Sequence, residues 1–185
     1  MFEVEQKFHV PDVEELRSSM DQMGLTPVST EQHVDAYYNH PSRDFAQTQE
    51  ALRVRRVNGV PYVTYKGKKL PGDVKARREL EWHLSPGDPE GENMESLLKL
   101  LGFTNVAQVK KRRDVFQSPA GQWEALTAVI DQVEGLGTFA ELEWVVADES
   151  GVEAARTQIR DFAAELGLDH TEHRSYLRML LELHG

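Results

Sequence analysis

The sequence predicts an α+β chain in which eight antiparallel strands close into a barrel with helices packed on its outside. Three observations carry that expectation. Alternation with a period of two dominates the 185 residues. The alternating segments put charge on one face and apolar side chains on the other, and the stretches of helical period fall between strands, where they can cover the apolar faces. A solvated sheet face usually mixes Thr, Ser, Gln, Lys and Glu, whereas here carboxylate pairs on some strands answer basic pairs on others. If helices take the apolar faces, the charged faces must point together. Eight antiparallel strands closed on themselves leave room inside for a guest.

The elements follow in order. The first strand spans about 2–9, with Glu3, Glu5 and Lys7 on one face and Val4 and Phe8 on the other. Asp12 with Glu15 opens a capped helix, Val13, Leu16, Met20 and Met23 follow at helical spacing, and Gly24 stops it. Strands come next at about 31–39 and 51–57, the latter setting Arg53 and Arg55 against Leu52 and Val54. Asn58-Gly59 predicts a tight hairpin into a fourth strand at 60–66, where Lys66 falls with Tyr62 and Thr64. Residues 67–74 are expected to form a mobile connection, whose basic residues could instead close over the barrel mouth. In the fifth strand, 76–84, Glu79 and Glu81 alternate with Leu80, Trp82 and Leu84. A helix through Met94, Leu97, Leu98 and Leu101 precedes the sixth strand, 106–116, which carries Lys111 and Arg113. The seventh and eighth lie at 123–133 and 138–146, the last alternating Glu141 and Glu143 with Leu142, Trp144 and Val146. Val152, Ala155, Ile159, Phe162 and Leu166 mark a helix, and Leu177, Leu180 and Leu181 a terminal one. Trp82 and Trp144 are expected to pack helices against the barrel's exterior.

Composition bounds the function. The length suits one domain, 1–185, and the net charge of −10 argues against nucleic-acid or anionic-membrane binding over the whole surface. There are no cysteines, no long apolar run and no signal-peptide pattern, so a cytoplasmic protein is expected. The basic residues nevertheless cluster, in LRVRR (52–56), KGKK (66–69), KARR (75–78) and KKRR (110–113), which leaves a local anion site open. No GxxxxGK[ST] loop is present. The histidines show no metal-ligand spacing and are expected at surface or satisfied core positions.

The run Glu3-Val4-Glu5-Gln6-Lys7 has the form ExExK. It is followed, in order, by Asp35-Ala36-Tyr37-Tyr38, ALRVR, TYKG, RRELE, KKRR, the aspartate of VIDQVEGLG, AELE and HRSYL. In these motifs, which extend over nearly the whole chain, the sequence resembles the CYTH family. Those are the triphosphate tunnel metalloenzymes that include class IV adenylyl cyclases and thiamine or inorganic triphosphatases. The resemblance implies that Glu3 and Glu5 bind metal, joined across the barrel by Glu141 and Glu143, with Asp131, Glu79 and Glu81 as further acidic ligands. It implies that Lys7, Arg53, Arg55, Lys66, Arg77, Lys111, Arg113 and Arg174 hold a triphosphate chain, with Lys66, Arg55 and Lys111 in the catalytic role. Arg77 and Arg78 cannot both point inward; strand parity favours Arg77, and a bulge would reverse that. The implied cofactor is Mg²⁺ or Mn²⁺, the favoured substrate is ATP, no nucleic acid or membrane partner is implied, and the cyclase branch implies a homodimer.

The chemistry explains why both signs of charge are needed. Hard divalent cations prefer carboxylate oxygens and bridge them to phosphate oxygens. Arg offers a planar fork and Lys a compact charge to the phosphates. Three functions fit: a class IV type adenylate cyclase, an inorganic or thiamine triphosphatase, and a non-catalytic polyphosphate or nucleotide-binding module. The segments FAELEW, HRSYL and NHPSRDFAQTQEALRVR resemble the cyclase branch most.

Overall fold

The computed structural model describes residues 1–184. Its eight strands are β1 (Phe2–His9), β2 (Thr26–Asn39), β3 (Ala51–Val57), β4 (Val60–Lys69), β5 (Lys75–His83), β6 (Thr104–Gln117), β7 (Leu126–Val133) and β8 (Gly137–Val146). They close into an antiparallel barrel in the order β1-β5-β4-β3-β2-β6-β7-β8. Sequential neighbours account for two meanders, β2 to β5 and β6 to β8. The β2–β6 pairing joins them, and β1 closes the ring between β5 and β8. The Asn58-Gly59 turn forms as the sequence predicts, with both residues at positive φ (49° and 87°) between the paired Val57 and Val60.

Helix α1 (Val13–Gln22) starts where Asp12 accepts from the backbone N–H groups of Glu14 and Glu15, each at 3.0 Å, and buries Leu16 and Met20. Helix α4 (Val152–Glu165) lays Val152, Ala155, Ile159 and Phe162 over the outward residues Val4, Phe8, Ala140 and Leu142, the main apolar core. Helix α3 (Glu92–Leu100) covers Ala36, Tyr38 and Val54 through Leu98. A one-turn helix, α2 (Phe45–Thr48), is capped by Asp44. It is too short to leave a periodic signal.

Helix α5 (Tyr176–His184) departs from the outside position. Its Tyr176 and Met179 pack on Val109, Val133 and Phe139. These three belong to the inward face, because Val109 pairs with Asp35, Val133 with Lys111 and Phe139 with Asp131. The first turn of α5 therefore reaches into the barrel.

Three further expectations change. Trp144 packs against the core under α4, but Trp82 is 51% exposed and Leu80 38% exposed, so no described helix covers the outer face of β5 beyond Ala76. Strand β2 begins at Thr26 rather than 31, because β6 pairs with it past a register shift between Pro27 and Ser29. Trp123 leaves β7 and stands edge-on to Phe162 at 4.8 Å. No described helix is long and apolar enough to cross a membrane.

Candidate active site

Alternation on β1 turns Glu3, Glu5 and Lys7 inward. The register then places Glu143 opposite Glu5, Glu141 opposite Lys7, Lys75 opposite Glu5 and Arg77 opposite Glu3. On β4 and β5, Lys66 pairs with Glu79 and Thr64 with Glu81. On the far side, Asp35 pairs with Arg55, Tyr37 with Arg53, His33 with Lys111 and Arg113 with Asp131. In a ring of eight, β1 and β2 stand four strands apart in either direction. An acidic wall on β5-β1-β8 therefore faces a basic wall on β3-β2-β6.

Each cation of the basic wall is braced by a buried aspartate. Asp35, 2% exposed, accepts Arg55 Nε on Oδ1 and Nη2 on Oδ2, both at 2.7 Å, and Arg53 Nη1 at 3.3 Å. Burial alone would raise its carboxyl, but Arg55 and Arg53 outweigh that and hold it well below the usual range. Asp131, fully buried, accepts Lys111 Nζ at 2.7 Å, Arg113 through Nε at 2.8 Å and Nη2 at 2.7 Å, and the Tyr176 hydroxyl at 3.0 Å. Its carboxyl is likewise driven down, against burial, by Arg113 and Lys111. Lys111 is itself pushed down to about 8, by burial first and then by Arg113. Arg53 keeps a buried Nε without a hydrogen-bond partner among the described residues. Its fork is the less committed of the two on β3.

The acidic wall is crowded. Lys66 Nζ contacts Glu3 Oε2 and, at 2.7 Å, Glu79 Oε2; Lys75 reaches Glu5 at 3.3 Å. Lys7 lies 3.5 Å from Glu141, and Arg113 crosses to Glu141 and, at 3.0 Å, to Glu143. Burial, only partly offset by Lys66 and reinforced by Glu79 and Glu5, pushes the Glu3 carboxyl up to about 8. Burial also raises Glu143. Glu79 moves the other way, down to about 2, because Lys66 outweighs its desolvation.

A divalent metal suits this donor set. Glu3, Glu5, Glu79 and Glu143 are carboxylates from three adjoining strands, the hard oxygen donors that Mg²⁺ or Mn²⁺ prefers. Among the described residues no three His, Asp or Glu side chains already stand at metal-holding spacing; Lys66, Lys75 and Arg113 occupy their oxygens. Loading a metal requires those cations to yield to it.

The structure brings Glu3, Glu5, Lys7, Arg53, Arg55, Lys66, Arg77, Glu79, Lys111, Arg113, Glu141 and Glu143 to the interior. Glu81 shares the inward face but is exposed, with Thr64 Oγ1 donating to it at 2.6 Å. Arg77 is the inward arginine, opposite Glu3, while Arg78 is exposed. Two residues differ from the expectation. Asp131 has both oxygens taken by Lys111, Arg113 and the Tyr176 hydroxyl, and stands here as the counter-ion of those two cations. Arg174 turns its guanidinium away from the interior. Glu172 and Glu182 hold it there, at 2.9 Å for Nε to Glu172 Oε1 and 3.1 Å for Nη1 to Glu182 Oε2. Only its carbonyl faces in, accepting Lys7 Nζ at 3.0 Å.

Sequence reasoning misses Asp35, His33, Lys75 and Tyr176. The first two carry a readable signal, since Glu31, His33, Asp35 and Tyr37 alternate with Val34, Ala36 and Tyr38. Lys75 shares the parity of Arg77 and Glu79. Tyr176 carries none, because a residue opening a helix gives no hint that the helix starts inside a barrel.

A closed antiparallel barrel with opposed acidic and basic inner walls is the architecture of a charged tunnel, chemically suited to a polyanion held with cations. The chain belongs to the CYTH domain family, whose profile matches residues 1–176. It is 32% identical over 181 residues to a candidate adenylate cyclase of Methanocaldococcus jannaschii, covering 97% of this chain and 98% of that protein. It is 29% identical over 182 residues to the adenylate cyclase CyaB of Aeromonas hydrophila, covering 95% and 86%. A solved Pyrococcus horikoshii protein, 35% identical, superposes with a TM-score of 0.85 over 98% of this chain and 99% of that one. A candidate adenylyl cyclase from Hippeastrum, described with a dominant triphosphatase activity, shares the fold at 19% identity, with a TM-score of 0.68 over 98% of this chain and 95% of its own.

Proposed function

We propose that this protein is a divalent-metal-dependent enzyme that takes the triphosphate of ATP into the barrel and converts ATP to cyclic AMP and pyrophosphate. The observation that carries the reading is the opposition of the two inner walls, one able to hold cations and the other able to hold phosphate oxygens. Arg53, Arg55, Lys66, Lys111 and Arg113 bind the triphosphate chain, with Lys7 and Arg77 adding charge at the acidic wall. Asp35 and Asp131 fix the arginine forks in place before the guest arrives, so little reorganisation remains at the moment of reaction. Glu3, Glu5, Glu79 and Glu143, with Glu141 and Glu81 beside them, would hold Mg²⁺ or Mn²⁺. Such a metal would supply positive charge beside the phosphates and so offset the charge that develops there. In cyclisation the ribose 3′-hydroxyl gives up its proton to solvent as its oxygen bonds to the α-phosphorus, and the bond from that phosphorus to the α–β bridging oxygen breaks, so pyrophosphate leaves with the electron pair. Arg55, Lys66 and Lys111 stabilise the charge on the departing group.

The names of the Methanocaldococcus and Aeromonas relatives favour cyclisation. Hydrolysis would use the same walls with water as the attacking group. Purified protein with ATP and Mg²⁺ or Mn²⁺ should yield cyclic AMP and pyrophosphate in equal amounts. Orthophosphate from inorganic or thiamine triphosphate, without cyclic nucleotide, would replace cyclisation by hydrolysis. Binding of all of these without turnover would leave a binding module.

A further inference from the structure

One interior group has no part in that scheme. His33 lies on the inward face of β2, between Glu31 and Asp35, and is 3% exposed. Its Nε2 stands 2.7 Å from Glu31 Oε2, and the other Glu31 oxygen accepts Ser29 Oγ at 2.9 Å. Nε2 therefore carries the hydrogen and donates it to the carboxylate. Nδ1 is then a buried lone pair, and it has no hydrogen-bond partner among the described residues. A buried polar atom left in that state is uncommon and unfavourable.

Its surroundings explain what would satisfy it. The charged groups around the ring are Glu31 on its own strand, Arg55 from β3, and Lys111 and Arg113 from β6; Asp35, two residues on, is bonded to Arg55. Three cations outnumber the one carboxylate in contact with the ring. Burial and then Arg55 and Lys111 push the imidazole down to about 4, against the hydrogen bond to Glu31, so the ring is neutral at neutral pH. The same three cations are the ones that face a phosphate chain. An oxyanion among them reverses the local field, which favours a second proton on the ring and turns Nδ1 from an unmatched acceptor into a donor.

We propose that His33 is a proton-linked phosphate contact, which takes up a proton as a triphosphate enters the barrel and donates its Nδ1–H to a phosphate oxygen. This rests on the triphosphate reading of the interior. It adds a ligand that the family motifs in this sequence do not include, and it makes anion affinity rise as the solution becomes more acidic.

Calorimetry at pH 6 tests it, with metal-free tripolyphosphate titrated into wild type and His33→Gln in two buffers of different ionisation enthalpy. Lys111 and Lys69, both pushed down to about 8, remain protonated there and contribute little. The difference between the two proteins removes the titration of tripolyphosphate itself. Wild type should take up at least about half a proton more per bound ligand than the variant. Proton NMR gives a second readout that needs no variant. The His33 ring should move from about 4 to above 6 on saturation with tripolyphosphate. Equal proton uptake by both proteins with the ligand bound, or an unmoved ring in the wild-type spectrum, would overturn this inference alone. No binding of tripolyphosphate to wild type would overturn the triphosphate reading and this inference with it.

Discussion

Replacing Glu3 with Gln should stabilise the protein at neutral pH while damaging its use of metal. Glu3 shares Lys66 with Glu79 and also lies close to Glu5, so one ammonium serves two buried carboxylates beside a third. Burial pushes its carboxyl up to about 8 from an ordinary 4.5. In that window the folded state binds a proton that the unfolded chain has released, so stability is full below pH 4.5 and is lost as pH rises toward 8. Each pH unit of the gap is about 1.4 kcal/mol. Lys66 and the residual 14% exposure of the Glu3 side chain moderate the sum, which leaves about 1–3 kcal/mol at pH 7. Gln keeps the size and an oxygen for Lys66, Glu79 still pairs with that lysine, and the unfavourable ionisation disappears. For a chain of this length the gain corresponds to a Tm rise of roughly 2–12 °C. Thermal melts of both proteins from pH 4 to pH 8 check this. The difference should be near zero at pH 4 and grow toward neutrality. Added Mg²⁺ or Mn²⁺ should raise the Tm of wild type more than that of Glu3→Gln. A variant that melts below wild type by the same margin at every pH would refute the argument, because Glu3 would then be an ordinary ionised partner of Lys66.

Three further outcomes follow from the same interior. Leu142→Ala, beneath α4, should cost about 2–5 kcal/mol in thermal melts while leaving the rise produced by tripolyphosphate intact, and a lost ligand response would put the register of β8 one residue out. His33 has a folded value of about 4, below its ordinary 6.5, so its contribution is complete above pH 6.5 and lost as pH falls toward 4. Between pH 7 and pH 5 wild type should lose about 2 kcal/mol more than His33→Gln in denaturant titrations. Tripolyphosphate at a hundredfold excess over its Kd should stabilise wild type by about 2.7 kcal/mol. Arg53→Met should cut the accompanying Tm rise to less than half, and Arg174→Ala should leave it unchanged, since that guanidinium is bound to Glu172 and Glu182.

The strands were legible because most of them separate charge from apolar side chains with a strict period of two. β1, β5 and β8 show this in Glu3/Val4/Glu5, Glu79/Leu80/Glu81 and Glu141/Leu142/Glu143, and the folded barrel keeps every one of these parities. The Arg77 or Arg78 ambiguity resolves through the register shift between Lys66 and Lys69 on the neighbouring β4, which leaves β5 itself regular. What sequence could not supply is which charges meet. Asp35 and Asp131 look like any acidic residue on a strand, and only the cross-strand register reveals them as braces for Arg55 and Arg113. Arg174 shows the converse, because the signal for an inward cation lies in strand parity and residue 174 is in no strand. Trp82 reads as core from its alternation, yet alternation says only which side of a sheet a residue takes, not whether anything covers it.

The placing of β1 has a consequence for how the molecule comes to exist at all. Seven of the strands can assemble as two hairpin-linked meanders joined along β2 and β6, whereas Phe2 must find Arg78 on one side and Val146 on the other. Pairings so distant in sequence are the slowest to form, which suits β1 to be the last piece to dock. Until it does, Lys66 and Lys75 lack Glu3 and Glu5, and Glu141 lacks Lys7. The first nine residues are thus both the clasp of the ring and the centre of its acidic wall. An unclasped chain displays an open groove with mismatched charges, and the chemistry becomes available only after folding has finished.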